Sequence, residues 1–428
     1  MPPIADASLT DLRYAKEITY GVPVTTAYQS ARMVSETLGQ DKEVVQSDEI
    51  VSDRRPPDNI QTGSSASGEI VTEVIGGGFN VAGGQKFLDD WWLASIGQST
   101  VFSNTAQNQG FSAGTMTITN SGTDRITILL TGTTPATWPS GFADGTFFAI
   151  RGLLTASDSS DLTYLNGIYQ VVTGQGTATL TLTKGARLVT SPKTTPTLTA
   201  GTTVSCRRVP DANDGTSLQF FTFERKYSLT NEFARLPGFA FNGFRFEMRP
   251  KQPMRITWNL IGREESSAAA QLGSSVDPAP TNKSFSPVSD FRWLSLGEDG
   301  HSFSVTSFTL DVKGGLYPLD EEAGVLGPQG IGVGTFDITG EIEFYYEGGT
   351  LHSFYQAFTE KSLHFGAMNA NGDGLLFAMP RVNFTNPGRR SVPGKDQAIK
   401  GTVGFRAAKG TDTLPAPDET YLLKIGRL

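Results

Sequence analysis

Gly340–Lys361, GEIEFYYEGGTLHSFYQAFTEK, reads as a strand, a Gly-Gly turn and an amphipathic helix. Ile342, Phe344 and Tyr346 alternate with Glu341, Glu343 and Tyr345, the two-residue period of a half-buried strand. Leu351, Phe354, Tyr355 and Phe358 follow at i, i+3, i+4 and i+7, the stripe of a helix lying on a core. Gly68–Gly97, GEIVTEVIGGGFNVAGGQKFLDDWWLASIG, repeats the plan: Gly-Glu-Ile, a short strand, glycine punctuation, then a helix carrying Leu88, Trp91, Trp92 and Ser95. One β-plus-helix module is therefore expected twice, with the rest of the chain arranged around the two copies.

The 428 residues suffice for two or three domains, because single cores rarely grow past about 250–300 residues. Charged residues are sparse at 18%, and 48 glycines and 23 prolines punctuate the chain, which points to a mainly β protein with many turns. The net charge of −8 argues against a basic, nucleic-acid-gripping molecule and suits a conduit through which a polyanion slides. Cys206 is the only cysteine, so neither an internal disulfide nor a cysteine-based zinc site can form. The N-terminal MPPIADASLTDLRYAKE lacks the apolar stretch of a signal peptide, and no run of about 18 apolar residues could span a membrane. These features suit assembly in a reducing cytoplasm.

Glu36–Ile70 has strand-like ends around a polar middle containing Arg54-Arg55-Pro56-Pro57 and a Gly/Ser run. Seven acids against three basic residues across 41–69 make this hairpin loop too polar to bury alone, so it either stays in solvent or packs on another subunit. Residues 101–210 change character, with 25 threonines and no glutamate. MTITNS, RITILLTG, GTFFAIRG, GIYQVVTG, TATLTLTK and TTVSCRRV alternate between turn signals, the pattern of a small β-sandwich. The expected organisation is a first module over 1–97 and 215–265, an inserted β-sandwich over 98–214, a linker over 266–289 and a second module over 290–428. In the strand runs of the first module Phe244, Phe246 and Met248 alternate with other residues, as do Ile256, Trp258 and Leu260.

Chemical motifs dissolve when their context is read. Gly110-Phe111-Ser112-Ala113-Gly114 matches a nucleophile elbow, but β-alternating text follows where a helix is required. Asn369-x-Asn371-x-Asp373-Gly374 opens like a calcium loop, yet Pro380 stands where the bidentate glutamate belongs, and a tight hairpin turn fits better. Gly330-Ile331-Gly332-Val333-Gly334 lacks the final glycine and the helix of a dinucleotide loop. His301, His352 and His364 have no metal spacing. Arg245, Arg249, Lys251 and Arg255 read as a solvated face rather than a nucleic-acid groove. No enzyme, cofactor or metal site is expected.

LRYAKEITYG, DKEVVQSDEIVSDRR (41–55), FLDDWWLASIG, GVGTFDITGEIEFYYEGG, FAMPRVNF and VPGKDQAIKGTVGFRA, taken together and in this order, resemble the major tail tube proteins of bacteriophages with long non-contractile tails. The resemblance covers roughly 1–97 and 215–428, and the 98–214 insert resembles sandwich decorations carried outside such tubes. It implies stacked rings whose strands join into a continuous inner barrel, through which DNA is ejected. One-module members form hexamers and two-module members trimers with pseudo-sixfold rings, so the duplication favours a trimer, with a hexamer as alternative. It also implies a virion location in the phage tail, tape measure protein and DNA in the lumen, terminator and distal tail proteins at the ends, and no membrane. The long hairpin is expected to place Asp48, Glu49, Asp53, Arg54, Arg55 and Asp58 at subunit or ring contacts. Leu88, Trp91, Trp92, Leu351, Phe354 and Phe358 are expected to seat the two helices on the barrel. Another tail component, such as a terminator, a baseplate ring or a glycan-binding adhesin, is the alternative.

Overall fold

A computed structural model describes residues 6–427 apart from 50–57, 76–85, 99–107, 110–114, 121–124, 134–135, 139–141, 143–145, 152–166, 184–196, 200–204, 210, 297–300, 303, 321, 323, 347–352, 354, 370–372, 387–388, 392–394, 396 and 411–420. Twelve strands carry the two halves of the molecule. The first half holds β1 (Thr10–Lys16), β2 (Gly39–Gln46), β3 (Asn59–Glu73), β4 (Phe221–Tyr227), β5 (Glu232–Met248) and β6 (Arg255–Gly262). The second holds β7 (Phe291–Leu296), β8 (Val305–Lys313), β9 (Asp337–Tyr345), β10 (Lys361–Met368), β11 (Gly374–Phe384) and β12 (Lys400–Ala408).

The halves pair their strands in the same order. The first runs β2–β3–β6–β5–β4–β1, every ladder antiparallel. The second runs β8–β9–β12–β11–β10–β7, again antiparallel throughout. Short strands extend the likeness: Ser266–Ala268 adds to β5, and Lys424–Arg427 adds to β11. Ile70 faces Trp258 and Ile342 faces Val403, so the two Gly-Glu-Ile segments occupy the same place in the two ladders. Residues 243–248 of β5 pair with β8 and join the halves into one sheet.

Packing explains why glycine opens that segment. A β-carbon on Gly340 would lie 2.3 Å from the Phe405 ring and 2.5 Å from the Thr309 carbonyl oxygen. Gly340→Ala is expected to cost about 1–3 kcal/mol by pushing β12 and Phe405 out of place. Thermal unfolding measures this, and an unchanged midpoint would mean that the ladder yields freely at this position.

The helix α1 (Lys86–Ser95) lies on this sheet. Leu88, Trp91, Trp92 and Ser95 are all buried, with Trp91 and Trp92 at 0% exposure. The helix ends in paired C-terminal bonds, Gly97 N–H to the Ala94 carbonyl and Gln98 N–H to that of Leu93, with Gly97 at φ +72°. A β-carbon there would meet the Gly215 carbonyl oxygen at 2.4 Å, so glycine both closes the helix and lets the chain return close by. Trp92 packs edge-on against Phe244, Trp258 and Phe377, while Phe308 touches Phe246, Phe365 and Phe405. The aromatic core thus runs without a break from the first half into the second.

The second half departs from the expected helix. Among its described residues only Ser353, Tyr355 and Gln356 are helical, and the chain turns over at Phe358, whose φ is +47°. Phe358 is 69% exposed rather than seated on the core, which corrects the packing stripe at that residue. An i+7 side chain reaches the same face only if two full turns persist, and here the backbone reverses first. Tyr355 is half-buried against the core, and Leu351 and Phe354 lie outside the described residues.

All six threonine-rich runs between 101 and 210 contain strands. With Asn108–Gln109 and Thr197–Thr199 they form an eight-stranded sheet separate from the large one. Trp138, Phe142 and Phe148 cluster within it at 5.4–5.5 Å between ring centres. Lys424 stands 5.5 Å over the Phe147 ring and 4.7 Å over that of Tyr421, touching this sheet from the last strand. Residues 266–289, read as a linker, lie along the first half. Ser275–Asp277 pairs in parallel with Ala27–Ala31, and the Phe285 N–H bonds to the Val74 carbonyl.

Candidate assembly surface

Strand β2 pairs with β3 on one side and with no strand on the other among the described residues. Its counterpart β8 is held on both sides, by β9 and β5. An open edge exposes backbone groups to any passing strand. Here the edge is capped just ahead of β2. The Thr37 N–H bonds inward to the Glu69 carbonyl, which turns the Leu38 backbone outward. Glu36 Oε2 accepts the Leu38 N–H at 3.0 Å, and the Leu38 carbonyl accepts Arg225 Nη2 at 2.7 Å. Arg225 grips Glu36 through both Nε and Nη2 at 2.5 and 2.7 Å, and both side chains are nearly buried at 10% and 11% exposure.

Glu17 organises the neighbouring loop. It accepts Thr222 Oγ1, the Gly238 N–H and the Gly21 N–H at 2.7–2.8 Å. Burial pushes its pKa up, and those donors hold it back. The loop so pinned presents Ile18, fully exposed, and Val22, 55% exposed.

Each half carries a hairpin at the same place in its ladder order. In the second half, Leu316–Leu319 pairs with Gly330–Val333, and the connection folds back on the first half. Ser64 Oγ donates to the Leu326 carbonyl at 2.8 Å, and the Tyr20 hydroxyl to that of Pro328 at 3.4 Å. In the first half, β2 and β3 project Val44, Val45 and Ile60, each 54–55% exposed, with Val45 directly opposite Ile60. Asp48, Glu49 and Asp58 stand exposed at its end, where the Ser47 N–H bonds to the Asp58 carbonyl at 3.0 Å. Asp53, Arg54 and Arg55 lie outside the described residues.

The remaining motif residues serve structure. Gly330–Val333 is a strand, not a phosphate loop. The Asn369 side chain donates to Asp373 Oδ2 and accepts the Asp373 N–H, both at 2.9 Å, closing the turn from β10 to β11. Arg245 and Arg249 share Glu247 as an exposed ion-pair cluster. Burial pushes the His364 pKa down to about 4, so its ring is neutral at physiological pH. Gly110–Gly114 lies outside the described residues. Sequence reading missed Glu17, the Glu36–Arg225 pair and the ion pair between Asp89 and Arg427, because each partnership spans a long stretch of chain.

Two like β units in one chain, joined by a ladder and, among the described residues, leaving unpaired the edge of β2 that corresponds to the paired edge of β8, define a mainly β structural protein. The phage tail tube protein family matches residues 7–407, and the chain belongs to that family. It is a structural component of the phage tail that assembles with copies of itself into a tube. No curated protein matches the chain. Among the described residues no helix is long and apolar enough to cross a membrane.

Proposed function

We propose that the protein is the major tube subunit of a long, non-contractile phage tail. Three copies would close a pseudo-sixfold ring, and rings would stack into the channel through which DNA leaves. The observation that carries this reading is the repeated ladder order, with β2 unpaired on one side among the described residues, since two equivalent units per copy turn threefold symmetry into near-sixfold symmetry. Closing a ring pairs the edge strands that a lone subunit leaves open. The net charge of −8 suits a wall along which DNA slides, because DNA binding draws on Lys and Arg neutralising phosphates. The first hairpin, with Asp48, Glu49, Asp53, Arg54, Arg55 and Asp58, would tie neighbouring subunits or rings. The 98–214 region would decorate the outside of the tube. Tape measure protein and DNA would fill the lumen, terminator and distal tail proteins would cap the ends, and assembly would take place in the host cytoplasm.

Electron microscopy of the purified full chain tests the reading. Stacked rings or tubes with a central channel, and a ring mass of three subunits, are expected. Discrete rings that never stack would favour a terminator or baseplate component. Deleting 48–60 is expected to leave folded subunits that no longer polymerise; tubes of normal length from that variant would remove the hairpin from the assembly.

A further inference from the structure

The contact between the two halves of one chain provides a template for the contact between chains. Gly39 faces Ser67 in the first half, and Asp311 faces Thr339 in the second; Ser67 and Thr339 each precede the glycine of a Gly-Glu-Ile segment. Gly39 therefore corresponds to Asp311. On the other side of each unit, Arg245 faces Thr257 and Arg389 faces Thr402, and those threonines each precede the partner of the Gly-Glu-Ile isoleucine. Arg389 therefore corresponds to Arg245. Within the chain, Arg245 pairs with Asp311 in the ladder that joins the halves. The same pairing between Arg389 and Gly39 has no counterpart inside one chain. Residues 389–391 pair with β12 on one side, and among the described residues no strand lies on the other.

We propose that the Arg389–Ser391 strand of a second copy docks antiparallel on the Thr37–Gly39 edge, Arg389 opposite Gly39, and that the Glu36–Arg225 ion pair caps this edge in the free chain. The proposal rests on the tail tube reading and specifies how its rings close. Hydrogen-bond parity supports the register. Leu38 corresponds to Leu310, which lies opposite Phe246 in the joining ladder, and the Leu38 N–H and carbonyl already face outward. In the free chain those two groups are taken by Glu36 and Arg225, so an incoming Arg390 backbone must displace them. Buried, doubly bonded side chains on a single outward backbone position form an edge guard, and an edge guard slows unwanted pairing. The two outer pairs, Arg389 with Gly39 and Ser391 with Thr37, would not be hydrogen-bonded, so their Cα atoms would stand about 4.5 Å apart, inside the range a disulfide spans.

Cysteine pairing decides it. In a Cys206→Ser background, Thr37→Cys and Ser391→Cys chains are mixed, allowed to assemble and mildly oxidised. An intermolecular disulfide is expected from that mixture and not from Thr37→Cys with Arg389→Cys, which is two residues out of register. Tubes or rings that form without the first link, or that give the second equally well, would overturn the ladder and leave the tail tube reading standing. A wild-type chain that forms neither rings nor tubes would overturn the reading and the ladder with it. For the cap, Glu36→Gln is expected to shorten the assembly lag, followed by light scattering, several-fold, because the guanidinium loses the nearer of its two carboxylate partners and keeps only Glu265, 3.6 Å from Nη1. A lag that is unchanged or longer would overturn the cap. Should the Gln variant unfold at the assay temperature, Glu36→Asp, which keeps the charge and shortens the reach, gives the same readout.

Discussion

Trp92→Ala is expected to remove about 3–5 kcal/mol of unfolding free energy. Trp92 has no exposed surface, and its ring meets Phe244 at 4.7 Å, Trp258 at 4.9 Å and Phe377 at 5.6 Å. Phe244 and Trp258 belong to the first half and Phe377 to the second, so the ring ties the helix to both. Each well-placed aromatic pair contributes about 0.5–1.5 kcal/mol beyond burial, and three are lost together. The surrounding strands are locked in ladders and cannot collapse into the cavity, which keeps the cost near the top of the usual range. Urea unfolding followed by circular dichroism and by tryptophan fluorescence measures it. The two probes should shift together, because one core serves both halves. A loss under about 1 kcal/mol would mean that the helix is peripheral to that core.

Stability should fall as pH rises from about 4 to about 6, through Asp89. Its carboxylate lies 2.8 Å from Arg427 Nη1, with side-chain exposures of 16% and 8%. Burial pushes the Asp89 pKa up to about 6, against the pull of Arg427 and with a smaller push from Asp90. A carboxyl whose folded pKa is raised binds its proton more tightly in the folded state. Its stabilising contribution is therefore full below the unfolded value near 4 and lost as pH passes the folded value near 6. Two pH units correspond to about 3 kcal/mol. Removing the cation makes the dependence steeper. Arg427→Met leaves the Asp89 carboxylate without that counter-charge, and is expected to cost about 3–5 kcal/mol at pH 7.5 and much less at pH 4.5, where Asp89 is protonated. Urea midpoints at the two pH values check both statements. Equal losses for Arg427→Met at both pH values would mean that Arg427 acts through packing of its stem rather than through charge.

Local pattern accounts for much of the architecture. The alternation of Ile256, Trp258 and Leu260 with polar neighbours matches the alternating burial of β6, because a strand shows its two faces residue by residue. The Leu88-Trp91-Trp92 stripe lies where a 3.6-residue period puts it, and the six threonine-rich runs contain strands because their alternation and turn signals are local properties. Phe358 failed the same test. A helical stripe needs the helix to last, and its length depends on tertiary support that no local period encodes.

The repeated Gly-Glu-Ile text was enough to suggest two like units, since Gly340 must be small where the Phe405 ring crosses it and Gly68 where Leu38 does. Only the tertiary structure decided how the units connect. The β5–β8 ladder brings Arg245 to Asp311, and the Glu36–Arg225 and Asp89–Arg427 pairs join residues far apart in the chain. Such partnerships are long-range events, specified by which strands find each other and by the buried space between them. Residue order within a segment sets its period and its faces; the open edge, its cap and its counterpart exist only once two distant segments have been brought side by side.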